Sequence, residues 1–124
     1  MKKTILIVED EKVLRESLAE LLTDEGYDVA QAGNGKEARD LVLQRPVDLV
    51  LSDVRMPEMD GITLLGHLKQ ITPQTPVIMV TAFGTVESAV NAMRSGAYDY
   101  LLKPVQFDDV LLKVQRALEF GDMA

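Results

Sequence analysis

Residues 49–61 read LVLSDVRMPEMDG, and the fold turns on how this stretch ends. Three apolar residues with the character of a buried strand run into Ser52 and Asp53. Met56, Pro57 and Gly61 beyond them are poor material for continuing it. A carboxylate at the end of a core strand needs a reason, and the reason lies in which other strands end beside it.

Four more short runs read as strands: 4–9 (TILIVE), 28–32 (DVAQA), 76–81 (PVIMVT) and 98–102 (YDYLL), with 48–52 (DLVLS) as the third of five. The first, third and fourth are apolar without alternation, the pattern of strands covered on both faces in a parallel sheet. Between the strands the spacing turns helical. Leu14, Leu18, Leu21 and Leu22 mark one face of a helix over 12–25, with Arg15, Glu16 and Glu20 largely elsewhere. Ala38, Leu41 and Val42 predict a helix over 35–44 that Pro46 helps to end. Leu64, Leu65, Leu68 and Ile71 predict one over 62–71, stopped by Thr72-Pro73. Val86, Ala89, Val90 and Met93 predict one over 85–95, with Gly96 suited to its C-terminus. Phe107, Val110, Leu111, Val114 and Leu118 define the last. Gly26, Gly33, Gly35 and Gly61 fall between elements. Strict alternation of five strands and five helices predicts an α/β, doubly wound parallel sheet with helices on both faces. Of the two common strand orders, five strands favour 2-1-3-4-5, the flavodoxin-like arrangement.

The 124 residues fit one domain with a single core. It is expected to span 1–120, with 121–124 starting a linker or disordered tail. A net charge of −7 argues against direct nucleic-acid binding, which depends on Lys and Arg neutralising phosphates. The apolar runs ILIV and VIMV are far too short to span a membrane, and acids follow the N-terminal apolar run too early for a signal peptide. A cytoplasmic location is therefore expected. With no cysteine there is neither a disulfide framework nor a thiolate metal site.

In a parallel sheet all strands end at one edge, where ligands of such folds bind. The strand ends here are Glu9-Asp10-Glu11, Asp53, Thr81-Ala82 and Lys103-Pro104. Under the order 2-1-3-4-5 the first and third strands are neighbours about 4.8 Å apart, which puts Asp10 and Asp53 within reach of one cation. Oxygen ligands without His or Cys suit a hard ion, Mg²⁺ first and Mn²⁺ as substitute. A carboxylate beside such an ion can attack phosphorus to give an acyl phosphate. Lys103 would offset charge on the phosphoryl oxygens, and the Thr81 hydroxyl could donate to them.

Those residues make the chain resemble the receiver domain of bacterial two-component response regulators over essentially its whole length. The matching features are Glu9-Asp10 after ILIV, Asp53 in DLVLSDVRMPEMDG, Thr81 in VIMVTA, and Lys103-Pro104 after YDYLL. The resemblance implies that Asp53 accepts a phosphoryl group from a sensor kinase histidine. It implies that Asp10, Asp53 and the Arg55 main-chain carbonyl hold Mg²⁺, with Glu9 acting through water. Lys103 would contact the phosphoryl group, and the Lys103–Pro104 peptide is expected to be cis. Thr81 and Tyr100 would form the switch, the hydroxyl moving toward the phosphoryl group and the ring turning inward. An output partner is expected on the surface of residues 84–120, which would also admit a homodimer. Arg55 and Phe83, two residues beyond Asp53 and Thr81, are expected to tune how long the phosphoryl group survives. The segment TAFGTVESAVNAMRSGAYDYLLKP is similar to receivers of activators that work with the nitrogen-type sigma factor. Such receivers precede an ATPase domain and a helix-turn-helix DNA-binding domain, neither of which is in these residues.

Plainer readings stand beside these. Asp53 could be a turn acid, Glu9, Asp10 or Glu11 could cap the first helix, and Lys103 could be a surface lysine. Thr81 and Tyr100 could be ordinary strand residues. Met56 and Met59 are expected to fill loop gaps, and His67 to be a solvated helix residue. AGNGKEA at 32–38 lacks the spacing of a phosphate loop, and VEDEK after the first strand is no dinucleotide turn. A turnover enzyme is not expected. A phosphoryl-transfer hydrolase of this kind would want an acid two residues past the nucleophile, where Arg55 stands. The remaining rival is a receiver-like interaction domain that is never phosphorylated.

Overall fold

The computed structural model describes residues 2–56, 58–81 and 86–123. The elements run β1 (Thr4–Val8), α1 (Lys12–Asp24), β2 (Asp28–Ala32), α2 (Gly35–Gln44), β3 (Leu49–Asp53), α3 (Gly61–Ile71), β4 (Val77–Thr81), α4 (Val86–Arg94), β5 (Asp99–Leu102) and α5 (Phe107–Met123). All strand pairs are parallel and their order is β2-β1-β3-β4-β5, as the alternation of strand and helix predicts.

The continuous apolar strands split their side chains between two layers because successive residues face opposite ways. Ile5, Ile7, Leu49, Leu51, Ile78 and Val80 pack on one face against Leu18 and Leu22 of α1 and Val110, Val114 and Leu118 of α5. Leu6, Val8, Val50, Val77 and Met79 pack on the other against Ala38 and Val42 of α2, Leu64, Leu65 and Leu68 of α3, and Ala92 of α4. Burying each of the larger side chains contributes about 1.5–3 kcal/mol, so neither face of the central strands can be left bare.

Local chemistry sets the helix ends. Asn34 accepts from the Glu37 N–H at 2.9 Å while Glu37 accepts from the Gly33 N–H at 3.1 Å, a reciprocal cap that explains the AGNGKEA segment. Asp60 caps α3 by accepting from the Thr63 N–H at 2.7 Å. Gly96, at φ +106°, closes α4: its N–H donates to the Met93 carbonyl and the Ala97 N–H reaches back to Ala92. The Thr85 start expected for this helix lies outside the described residues. At the other end of the chain the helix outruns expectation, because α5 continues through Gly121 to Met123. Gly121 lies against the Pro76 ring and Asp122 pairs with Lys3, which tie this last turn to the sheet's N-terminal edge.

Leu51, 1 % exposed on β3, is central to the α1/α5 layer. Leu51→Ala is expected to cost about 2–5 kcal/mol, read as a lower urea midpoint.

Candidate functional site

Register brings the strand-end acids together. Val8 pairs with Ser52, so Glu9, one residue on, comes level with Asp53 at the end of β3. The Glu9 N–H still donates to the Ala32 carbonyl at 3.1 Å, and the chain then turns into α1. Glu9 and Asp53 are buried, at 2 % and 5 % exposure, whereas Asp10 is open to solvent. Carboxylate oxygens of Glu9, Asp10 and Asp53 lie within 4.8 Å of one another.

Among the described residues one ammonium faces them. Lys103 Nζ is 2.9 Å from Asp53 Oδ2 and 3.2 Å from Glu9 Oε1. It arrives from β5, where the Lys103 N–H donates to the Thr81 carbonyl at 2.9 Å and the peptide to Pro104 is cis. The Arg55 N–H donates to Asp53 Oδ1 at 3.1 Å, so both Asp53 oxygens have a partner. Glu9 Oε2 accepts from the Glu11 N–H at 3.1 Å. Glu11 is the N-cap residue of α1 but caps nothing with its own side chain, so neither it nor Asp10 takes the side-chain capping role.

One lysine does not balance three carboxylates. Burial pushes Glu9 up to about 7, with the neighbouring Asp53 adding to the rise, while the Glu11 amide and Lys103 oppose it. Burial works against the Lys103 charge, yet the hydrogen bond and charge of Asp53, with Glu9, outweigh it and raise its pKa. The result is an oxygen-only cluster short of positive charge, the donor set that a hard divalent cation satisfies.

Two further predicted residues, Thr81 and Tyr100, have partners outside this cluster. Thr81, fully buried at the end of β4, donates its hydroxyl to the Leu101 carbonyl at 3.4 Å, toward β5. Tyr100 is half-buried on β5 and lines an apolar cavity of about 270 Å³ with Ala89, Val90, Met93, Arg94 and Leu102. Lys113 of α5 stands 5.1 Å from the centre of its ring and donates to the Tyr100 carbonyl at 2.5 Å. Phe83 lies outside the described residues. Met56 and Met59 pack on the α2/α3/α4 layer, and His67 is half-buried on α3.

Gly61 is a requirement that its reading as a turn residue does not reach. A Cβ there would come 2.2 Å from the Asp53 carbonyl oxygen, 2.7 Å from the Met79 methyl and 2.8 Å from the Val54 Cα. The Gly61 N–H also donates to the Val54 carbonyl at 2.7 Å, which closes the β3–α3 loop directly behind Asp53. Within that loop Glu58 takes φ +69°, a left-handed conformation that side chains other than Gly, Asn and Asp seldom adopt.

The strand order and the acid-lined edge define a flavodoxin-like, CheY-like α/β domain. Residues 5–115 match the family described as the response regulator receiver domain, and the chain belongs to that family. It is 46 % identical over 114 residues to the transcriptional regulatory protein ZraR of Escherichia coli O157:H7, covering 92 % of this chain and 26 % of that protein. It is 44 % identical over 119 residues to the regulatory protein AtoC of E. coli K12, covering 96 % of this chain and 26 % of AtoC. The crystal structure of NtrX from Brucella abortus superposes with a TM-score of 0.95 at 36 % identity, over 99 % of this chain and 28 % of that one. The chain thus spans about a quarter of the length of the curated relatives it matches. Among the described residues no helix is long and apolar enough to cross a membrane.

Because the folded protein holds the Glu9 proton above its ordinary value of 4.5, this carboxyl supports stability fully below that value and loses the contribution as pH rises to about 7. In metal-free buffer the urea midpoint is expected to fall across that window in the wild type and to flatten in Glu9→Gln. Gly61→Ala is expected to cost about 3 kcal/mol, the upper end of ordinary overpacking because two of the three close contacts are backbone, again measured by urea unfolding.

Proposed function

We propose that this chain is a phosphorylation-controlled switch that accepts a phosphoryl group on Asp53 from a phosphohistidine of a sensor kinase. The observation that carries the reading is the placement of the Asp53 carboxylate, buried at a strand end, between the Glu9/Asp10 oxygens and the Lys103 ammonium. An Asp53 oxygen attacks phosphorus as the P–N bond to the imidazole breaks, and the electron pair stays on the departing nitrogen. Lys103 faces the phosphoryl oxygens and offsets their charge. Asp10, Asp53 and the Arg55 main-chain carbonyl would hold Mg²⁺, or Mn²⁺ in its place, with Glu9 bonded through water. Such an ion, when bound, supplies the positive charge that the three carboxylates and the incoming phosphoryl group require.

Phosphorylation adds about −1.5 to −2 charges and strong acceptor oxygens beside Thr81. The Thr81 hydroxyl then has a better acceptor than its 3.4 Å bond to the Leu101 carbonyl and turns toward Asp53. Tyr100 follows inward, and the surface of residues 84–120 changes for an output partner or a second copy. The domain assists its own phosphorylation and dephosphorylation without turning over a substrate. It works in the cytoplasm, with 1–120 as the receiver. Its likeness to the transcriptional regulatory protein ZraR supports a transcription-regulating output, and the resemblance carried by TAFGTVESAVNAMRSGAYDYLLKP supports ATPase and DNA-binding parts working with the nitrogen-type sigma factor.

Incubation with acetyl phosphate and Mg²⁺, followed by intact-mass measurement, is expected to give one phosphoryl adduct. Asp53→Asn and treatment with a chelator should each abolish it. Absence of any adduct across several donors and metals would overturn the reading in favour of an interaction domain that is never phosphorylated.

A further inference from the structure

We propose that Arg15 is a positioning residue for the acidic pocket, fixing through the Glu9 carbonyl the turn that presents Glu9 and Asp10 to a divalent cation. This rests on the metal-site reading above. Arg15 counts in the sequence as part of the polar side of α1, yet its side chain is half-buried and points back toward the sheet. Arg15 Nη1 donates to the Glu9 carbonyl at 2.8 Å. The same nitrogen lies against the chain just past β2, where a Cβ on Gly33 would come within 3.4 Å of it.

Glu9 is the first residue past β1, and three bonds hold it. Its N–H donates to the Ala32 carbonyl at 3.1 Å, its carbonyl accepts from Arg15, and its side chain accepts from the Glu11 N–H. Asp10 lies between the last two of these anchors. The guanidinium bond is charge-assisted, and its donor is carried on a helix whose backbone is fixed at the same point by the Arg15 N–H donating to Glu11 at 3.0 Å. Removing it frees the Glu9 carbonyl and lets the turn that carries two of the three pocket acids relax.

Charge and geometry predict opposite results. A cation beside the pocket repels an incoming metal ion, so as a mere charge Arg15 would weaken binding and its loss would tighten it. As a positioning group its loss weakens binding, as loss of a partner that orients a metal ligand does.

Mn²⁺ titration of the 124-residue chain, followed by the electron paramagnetic resonance of the free ion, separates the two. Arg15→Met and Arg15→Gln, the latter too short to reach the carbonyl, are expected to raise the Mn²⁺ Kd roughly tenfold. Arg15→Lys, which keeps a cationic donor on a side chain nearly as long, should recover most of that loss. Circular dichroism restricts the comparison to folded variants, and Arg15→Gln keeps a good helix former at this position should Arg15→Met fail to fold. Equal or tighter binding in Arg15→Gln, with normal wild-type binding, would overturn the positioning role alone. Failure of the wild type to bind Mn²⁺ would overturn the metal site and this role together.

Discussion

The contact on which the site depends is the Lys103 ammonium shared between Asp53 and Glu9, at 2.9 and 3.2 Å. Parallel strand pairing leaves the chain little choice about where strand ends go, and two acid-bearing ends fall side by side at the middle of the sheet. Without a positive partner, buried carboxylates at that spacing would have to give up charge. Lys103 reaches them from the sheet's far edge, across the end of β4. It offsets part of the repulsion, while burial first, and the neighbouring Asp53 after it, keeps the Glu9 pKa raised.

Much of the scaffold was legible in the residues because burial on both faces writes itself plainly. Runs such as ILIV and VIMV admit no solvent side, and the leucine spacing of α1 and α3 leaves a single apolar stripe each. Strand order followed from element count, and the closeness of Asp10 to Asp53 followed from strand order, with Glu9 and Lys103 at the same edge. The end of α5 was less legible. Nothing in EFGDMA announces that the helix runs on, and the neighbours of Gly121 and Asp122, Pro76 and Lys3, lie at the sheet's N-terminal edge, far off in sequence.

What the sequence concealed about the site is backbone approach and side-chain direction. Gly61 looks like any loop glycine until the Asp53 carbonyl is found where a Cβ would sit. Nothing in its neighbours announces that Glu58 takes a left-handed conformation. Arg15 sits among acids and lysines on a helix surface, and helical periodicity cannot distinguish an arginine extended into solvent from one folded back onto a carbonyl. The Thr81 hydroxyl is equally ambiguous, since a buried threonine has carbonyls on offer on more than one side. Such features depend on distances between chain segments far apart in sequence, which residue patterns do not encode.

The lysine on α5 has an effect beyond the tyrosine it covers. β5 is an outermost strand, and an outermost strand displays main-chain groups that any other extended segment could zip onto. Lys113 occupies the Tyr100 carbonyl and is held 3.6 Å from Asp99, which puts a bulky, hydrated charge across that rim. A foreign strand would have to strip this ammonium of its partners before adding itself to the sheet. On this flank the molecule is steered away from open-ended stacking, and encounters there are left to the side chains of its helices.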